Sequence, residues 1–168
     1  MGYSAGDATG PEMRTLSRVN LILLLLVALL GGAAWWLQSS DMPPPLTRLS
    51  PARIQQIRLI RAGQTIELQR HNGVWWLGEA RADQQRVAQL LGIATTPSLA
   101  HFPLPQGRLA AFGLQPPETI LWLDQTELRF GTTEPLSGQR YLQIGDQVHL
   151  IGDGFRHHLS APAAAFLE

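Results

Sequence analysis

Cysteine is absent from this chain of 168 residues, which excludes a disulfide framework and any thiolate metal site. Lysine is absent too, so every basic side chain is arginine, a bias that reads as nucleotide composition rather than chemistry. Thirteen basic residues face thirteen acidic ones, for a formal charge of zero. No global field therefore draws in nucleic acid or acidic substrates. Motifs that carry chemistry are missing as well: there is no P-loop, H-E-x-x-H, G-x-S-x-G or EF-hand pattern. The carboxylates are scattered, with no pair placed for general acid–base work. His71, His101 and His149 stand isolated in sequence, and Gly152-Asp153-Gly154 reads as a turn. His157 and His158 are adjacent, so on a helix or a strand their rings diverge, and a shared metal would need a third ligand from elsewhere. On sequence alone no catalytic residue, cofactor or metal ligand is assigned.

What the chain does have is one long apolar run. From Val19 to Leu37 only Asn20 is clearly polar and nothing is charged. As a helix this stretch would reach about 28 Å, against a hydrocarbon core of roughly 30 Å. A signal peptide is the competing reading, since Leu21–Leu30 has the right length and Gly32-Ala33-Ala34 could be cleaved. Trp35 and Trp36 prolong the run, however, and paired Trp suit a membrane interface. Arg14 and Arg18 flank only the N-terminal side, which would keep that end in the cytoplasm. The expectation is a disordered cytoplasmic tail (1–18), a single-pass transmembrane helix (19–37), a Pro-rich linker (38–51) and an exported domain (52–168) at the inner membrane. Membrane lipid and other membrane proteins are the expected partners, and nucleic acid is not.

Beyond Pro43-Pro44-Pro45 the apolar period switches to two. Ile57 and Leu59 alternate with Arg58, and Ile66 and Leu68 with Glu67 and Gln69. Ala62-Gly63 and Asn72-Gly73 supply hairpin turns, and Val74–Leu77 gives a third strand. Ala82–Leu91 has helical spacing, with Asp83 or a neighbour as its cap. A second meander is predicted over 119–123, 127–130, 140–144 and 147–151. The predicted fold is α+β: an N-terminal transmembrane helix, then a small domain of two antiparallel β-meanders with one main helix between them.

Residues 52–160 resemble the bacterial DUF4340 family. The likeness rests on a G-x-W strand at Gly73-Val74-Trp75, the turn Phe112-Gly113-Leu114-Gln115-Pro116-Pro117, a short strand ending in Gly131, and an R-Y strand at Arg140-Tyr141 paired with one ending V-x-L. It implies an exported, membrane-tethered domain with an accessory role, often beside ABC-type transport components, and it carries no catalytic residues. Read physically, Gly113 ends a helical turn, Pro116 and Pro117 stiffen entry to a strand, and Phe112 and Leu114 plug a corner of the core.

Trp75 and Trp76 must face opposite sides of a sheet, so one is core and the other is a candidate partner surface. Arg58 and Arg61 join Trp76 as candidates there. The function expected is a non-enzymatic accessory or interaction protein of a membrane complex. A binding module for a small molecule or envelope polymer is the alternative.

Overall fold

The structure, a computed structural model, describes residues 12–39, 43–105 and 107–168; within the first helix it describes side chains for residues 20–33 and 35. The chain divides into two compact units, Met1–Met42 and Pro43–Glu168.

The first unit contains helix α1 (Glu12–Ser39). Among the described residues no helix is long and apolar enough to cross a membrane. This corrects the expectation of a single-pass helix over residues 19–37, and with it the inner-membrane location and exported topology drawn from that helix. Trp35 is exposed. The side chains of Arg14, Arg18 and Trp36, expected at a membrane interface, lie outside the described residues.

The second unit is built on β1 (Gln56–Arg61), β2 (Gln64–His71), β3 (Val74–Leu77), β4 (Ala80–Arg81), β5 (Ala100–Pro103), β6 (Thr119–Leu123), β7 (Thr126–Thr133), β8 (Gln139–Ile144) and β9 (Gln147–Gly152). All pair antiparallel in one nine-stranded sheet, in the order β4-β3-β2-β1-β6-β7-β8-β9-β5. Two separate meanders were expected; instead β1 and β6 pair directly, with Ile57 opposite Leu123 and Leu59 opposite Leu121. The physical reason is that each meander alone would leave an edge of unpaired backbone groups beside apolar side chains, and joining them satisfies both. The other additions are β4 and β5, one too short and the other too proline-marked for period-two patterning to reveal. The fold class is therefore a single antiparallel sheet with few helices.

Helix α2 (Gln84–Leu91) starts where Asp83 accepts a hydrogen bond from the Arg86 backbone N–H at 3.0 Å, a side-chain N-cap. Gln84 binds it to β3: its Oε1 accepts from the Trp75 N–H at 2.9 Å and its Nε2 donates to the Trp75 carbonyl at 3.1 Å. Val87, Leu90 and Leu91 of α2 then share one core with Ile57, Leu59, Leu68, Trp75, Leu121, Leu128, Phe130 and Leu142 of the sheet. The short helix α3 (Arg156–Leu159) adds Leu159 to the same cluster, and Phe166 closes it near the C-terminus.

Among the described residues of this unit, the opposite face is covered at the β5 end. There the connection from β5 to β6, carrying a 3-10 turn at Leu109–Phe112, lies over it. Phe112 packs edge-on against Tyr141 with ring centroids 4.8 Å apart, and lies 5.8 Å from Phe102. Leu114 and Val148 are buried apart from the main core. Gly113 takes φ +66, and a Cβ there would meet the Thr132 side chain and backbone. The Gln115–Pro116 peptide is cis. The sheet thus carries a large core on one face and a small one on the other.

Candidate functional site: an open sheet face

Because side chains alternate along each strand, the face turned away from the main core displays a lattice set by register. One row runs Arg81, Trp76, Gln69, Gln56 across β4, β3, β2 and β1. The next runs Glu67, Arg58, Trp122, Glu127 across β2, β1, β6 and β7. A third runs Thr65, Ile60, Ile120, Arg129. Neighbours along a row stand on strands roughly 4.8 Å apart, and successive rows are separated by about 7 Å.

Ordered contacts hold this lattice. Arg58 Nε donates to Glu67 Oε1 at 2.8 Å, both side chains about half exposed. Arg129 pairs with Glu127 at 3.2 Å. At the margin Asp124, at φ 52, accepts the backbone N–H groups of Gln55 and Gln56 at 2.9 Å each, so its carboxylate is committed to the turn. Gln56, Arg58, Glu67, Gln69 and Trp122 line a shallow depression of about 90 Å³. Trp76 and Trp122 are half-buried, each with one side turned to solvent.

The sequence candidates separate here. Trp76 and Arg58 stand on the open face. Arg61 does not: it turns to the core side, where its guanidinium donates to the backbone carbonyls of Ser160 and Ala161. Trp75 is buried under α2 at 4% exposure, with the Arg70 guanidinium 5.8 Å from its ring. Phe112, Leu114 and Tyr141 belong to the second core, Gly113 lies in the turn that leads to it, Pro117 bridges to Leu114 and Pro116 is exposed; none of them stands in the three open rows. Sequence reading missed Trp122, Gln56, Gln69 and Glu67 as members of one surface. Their positions in alternating strands were visible, but the β1–β6 pairing that brings Trp122 beside Arg58 was not.

Two polar clusters lie elsewhere. Arg140, with 7% of its side chain exposed, donates through Nε to Asp153 at 2.6 Å and through Nη1 to Glu118 at 2.8 Å and the Gly131 carbonyl at 2.7 Å. Thr133 Oγ1 donates to Asp153 at 3.1 Å. Burial alone would lower the Arg140 pKa, but hydrogen bonds to Asp153 and Glu118 and their charges hold it above its ordinary value. Burial alone would raise that of Asp153, yet the Arg140 partner keeps it below the usual carboxylate range. One guanidinium thus pairs with both carboxylates, as suits a structural pin. A cleft of about 270 Å³ opens beside it, edged by Arg61, Arg156 and Ser160.

The second cluster joins Ser98 to His149, with Oγ 2.9 Å from Nδ1. Ser98 is only 4% exposed, so a substrate cannot reach it as a nucleophile. The His157 and His158 rings lie with centroids 4.5 Å apart, tilted by 49°. Among the described residues no group of three or more His, Cys, Asp or Glu converges on one point.

No protein-family model, curated protein or solved structure matches the chain.

Proposed function

We propose that this chain works by binding rather than by catalysis, as an accessory module offering the open half of its sheet to a protein partner. The observation that carries this reading is the pair of adjacent rows that set Trp76 and Gln69 beside Glu67, Arg58 and Trp122. Tryptophan and arginine dominate the energetics of protein interfaces because they combine large apolar area with directed hydrogen bonding. The depression among them, at about 90 Å³, is well below the roughly 300–1,000 Å³ of small-molecule pockets. A flat surface with charges of both signs favours a macromolecular partner with complementary charges.

The sheet edges argue for the face over the edges as the docking surface. Strand β4 spans two residues and carries Arg81, while β5 spans four and ends in Pro103. Short, charged or proline-bearing edges discourage strand addition. The resemblance to the DUF4340 family, whose members the sequence reading links to accessory roles, agrees with this proposal.

The test compares the full chain with the double variant Trp76→Ala/Trp122→Ala in affinity purification from the native host, with folding checked by circular dichroism. A stoichiometric protein partner recovered by the parent and lost by the variant is the expected result. An unchanged set of proteins with both would refute the open face as the docking surface. Recovery of glycan in place of protein would replace this reading with the polymer-binding one.

A further inference from the structure

His101 and His149 are distant in sequence but directly opposite in register, on edge strand β5 and its neighbour β9. Their ring centroids lie 5.8 Å apart at an interplanar angle of 32°. We propose that this pair is a two-imidazole chelate for a divalent transition-metal ion of the kind imidazole prefers, Cu²⁺ most tightly and Ni²⁺ or Zn²⁺ less so.

Three observations converge on it. The first is separation: a metal held at ~2.0–2.1 Å by one nitrogen of each ring places the centroids roughly 4.5–5.2 Å apart. Closing the observed gap needs a rotation of about an ångström at the ring, within the broad torsional freedom of a histidine side chain. Exposure is the second: His101 is open to solvent, so an ion has an entry path and water can fill the remaining coordination positions.

The third is orientation. Ser98 Oγ stands 3.3 Å from the Ala100 carbonyl, to which it donates, and 2.9 Å from His149 Nδ1. A serine hydroxyl has one proton. Given to Ala100, that proton leaves the serine oxygen to accept from Nδ1–H, which places the free lone pair of His149 on Nε2. Metal-binding histidines commonly have their second ring nitrogen fixed in this way. Copper leads because affinity for nitrogen ligands rises through the divalent series to Cu²⁺ and falls at Zn²⁺.

The experiment uses the full chain without an affinity tag, titrated with CuCl₂ by calorimetry and examined by electron paramagnetic resonance. One Cu²⁺ per chain is expected, with nitrogen couplings from two imidazoles in the parent and from one in His101→Ala or His149→Ala. Each of these variants should bind at least about tenfold more weakly. Ser98→Ala keeps both ligands and should weaken binding by roughly 10-fold through lost orientation. The control His157→Ala/His158→Ala should bind like the parent. No binding to the parent at micromolar copper would overturn the proposal. So would affinity that survives loss of both His101 and His149, or that follows the 157–158 pair instead.

Discussion

Arg140 Nε and Asp153 Oδ1 stand 2.6 Å apart, joining β8 to the turn that follows β9. The same guanidinium reaches the Gly131 carbonyl at 2.7 Å, where the β7–β8 register shifts between Phe130 and Thr133. One buried side chain thus fastens an irregular point of the sheet, while the next residue, Tyr141, packs on the opposite face against Phe112.

Removing that fastening leaves a carboxylate without its cation. Arg140→Met should lower stability by about 3 kcal/mol, near the lower end for breaking a buried pair because Glu118 is half exposed and can be rehydrated. Arg140→Lys keeps the charge but not the planar fork, so it should fall between parent and Met variant. Urea unfolding of the three proteins checks the order; a Lys variant as weak as Met would mean that geometry outweighs charge.

A second prediction concerns the close approach of Phe112 to β7. A Cβ added at Gly131 would collide with the Phe112 backbone carbonyl and crowd the Leu114 side chain. Backbone cannot step aside as a flexible side chain can, so Gly131→Ala should cost about 2–3 kcal/mol. Gly154, where an added Cβ meets nothing within 4 Å, serves as the control and should tolerate alanine with little change. Thermal melts of both variants decide it.

The paired tryptophans should separate sharply. Trp75, at 4% exposure beneath α2, should cost about 3–5 kcal/mol when cut to alanine. Trp76, half-buried on the open face, should cost roughly 1 kcal/mol, since much of its surface is already hydrated. If the two variants lose equal stability, Trp76 belongs to a packed layer and the face is not open.

These contrasts show what the sequence could and could not convey. Asn72-Gly73 declared a hairpin because both residues accept positive φ, and they sit at 51° and 84°. Asp83 declared a helix start because its carboxylate can bond a free backbone N–H. Local chemistry of this kind is written in adjacent residues. Pairing of β1 with β6 is not, because it joins segments some sixty residues apart through apolar contacts that many strands could make. That pairing alone puts Trp122 beside Arg58, and likewise the β5–β9 pairing puts His101 beside His149. Asp153 was legible only as part of a turn, since its partner Arg140 sits in another strand. The apolar run at 19–37 misled for a different reason: composition and length were read as a span, and among the described residues no helix meets that requirement.

Acid should weaken the fold earlier than carboxylate chemistry alone would predict. Burial first, and the charge of His101 second, hold the folded-state pKa of His149 below 6.5. His158 is lowered likewise, by burial and then by His157 and Arg86. For a base with a depressed folded value, the unfolded chain takes up the proton first. Their contribution is therefore fully present above about pH 6.5 and is lost as pH falls from there towards the folded values. Asp153, depressed by Arg140, adds a further loss only below its ordinary value of 3.8. The urea midpoint should drop between pH 7.5 and 5.5 in the parent and drop less in His149→Gln, measured without metal. An identical decline in both proteins would assign the acid sensitivity to other groups.

The final prediction concerns the segment read as a Pro-rich linker. Its residues 44–47 are bound to the domain: Ser98 N–H donates to the Pro44 carbonyl at 2.9 Å, Leu46 N–H to Thr96 at 2.7 Å and Thr47 N–H to Ala94 at 3.1 Å. Leu46 itself is 7% exposed and joins the main core. Residues 43–168 expressed alone should therefore fold and unfold in one cooperative transition. Starting at residue 49 removes three backbone hydrogen bonds, each contributing about 1 kcal/mol, and the burial of Leu46, roughly 2 kcal/mol more. Partial rehydration of the freed groups reduces the total, so the shorter chain should lose about 3 kcal/mol in urea unfolding. The loss should extend beyond the deleted strap, because Ser98 orients His149 and is itself held in place by Pro44. Amide exchange at residues 94–101 should accelerate in the shorter chain, and unchanged protection there would show that β5 keeps its position without the strap.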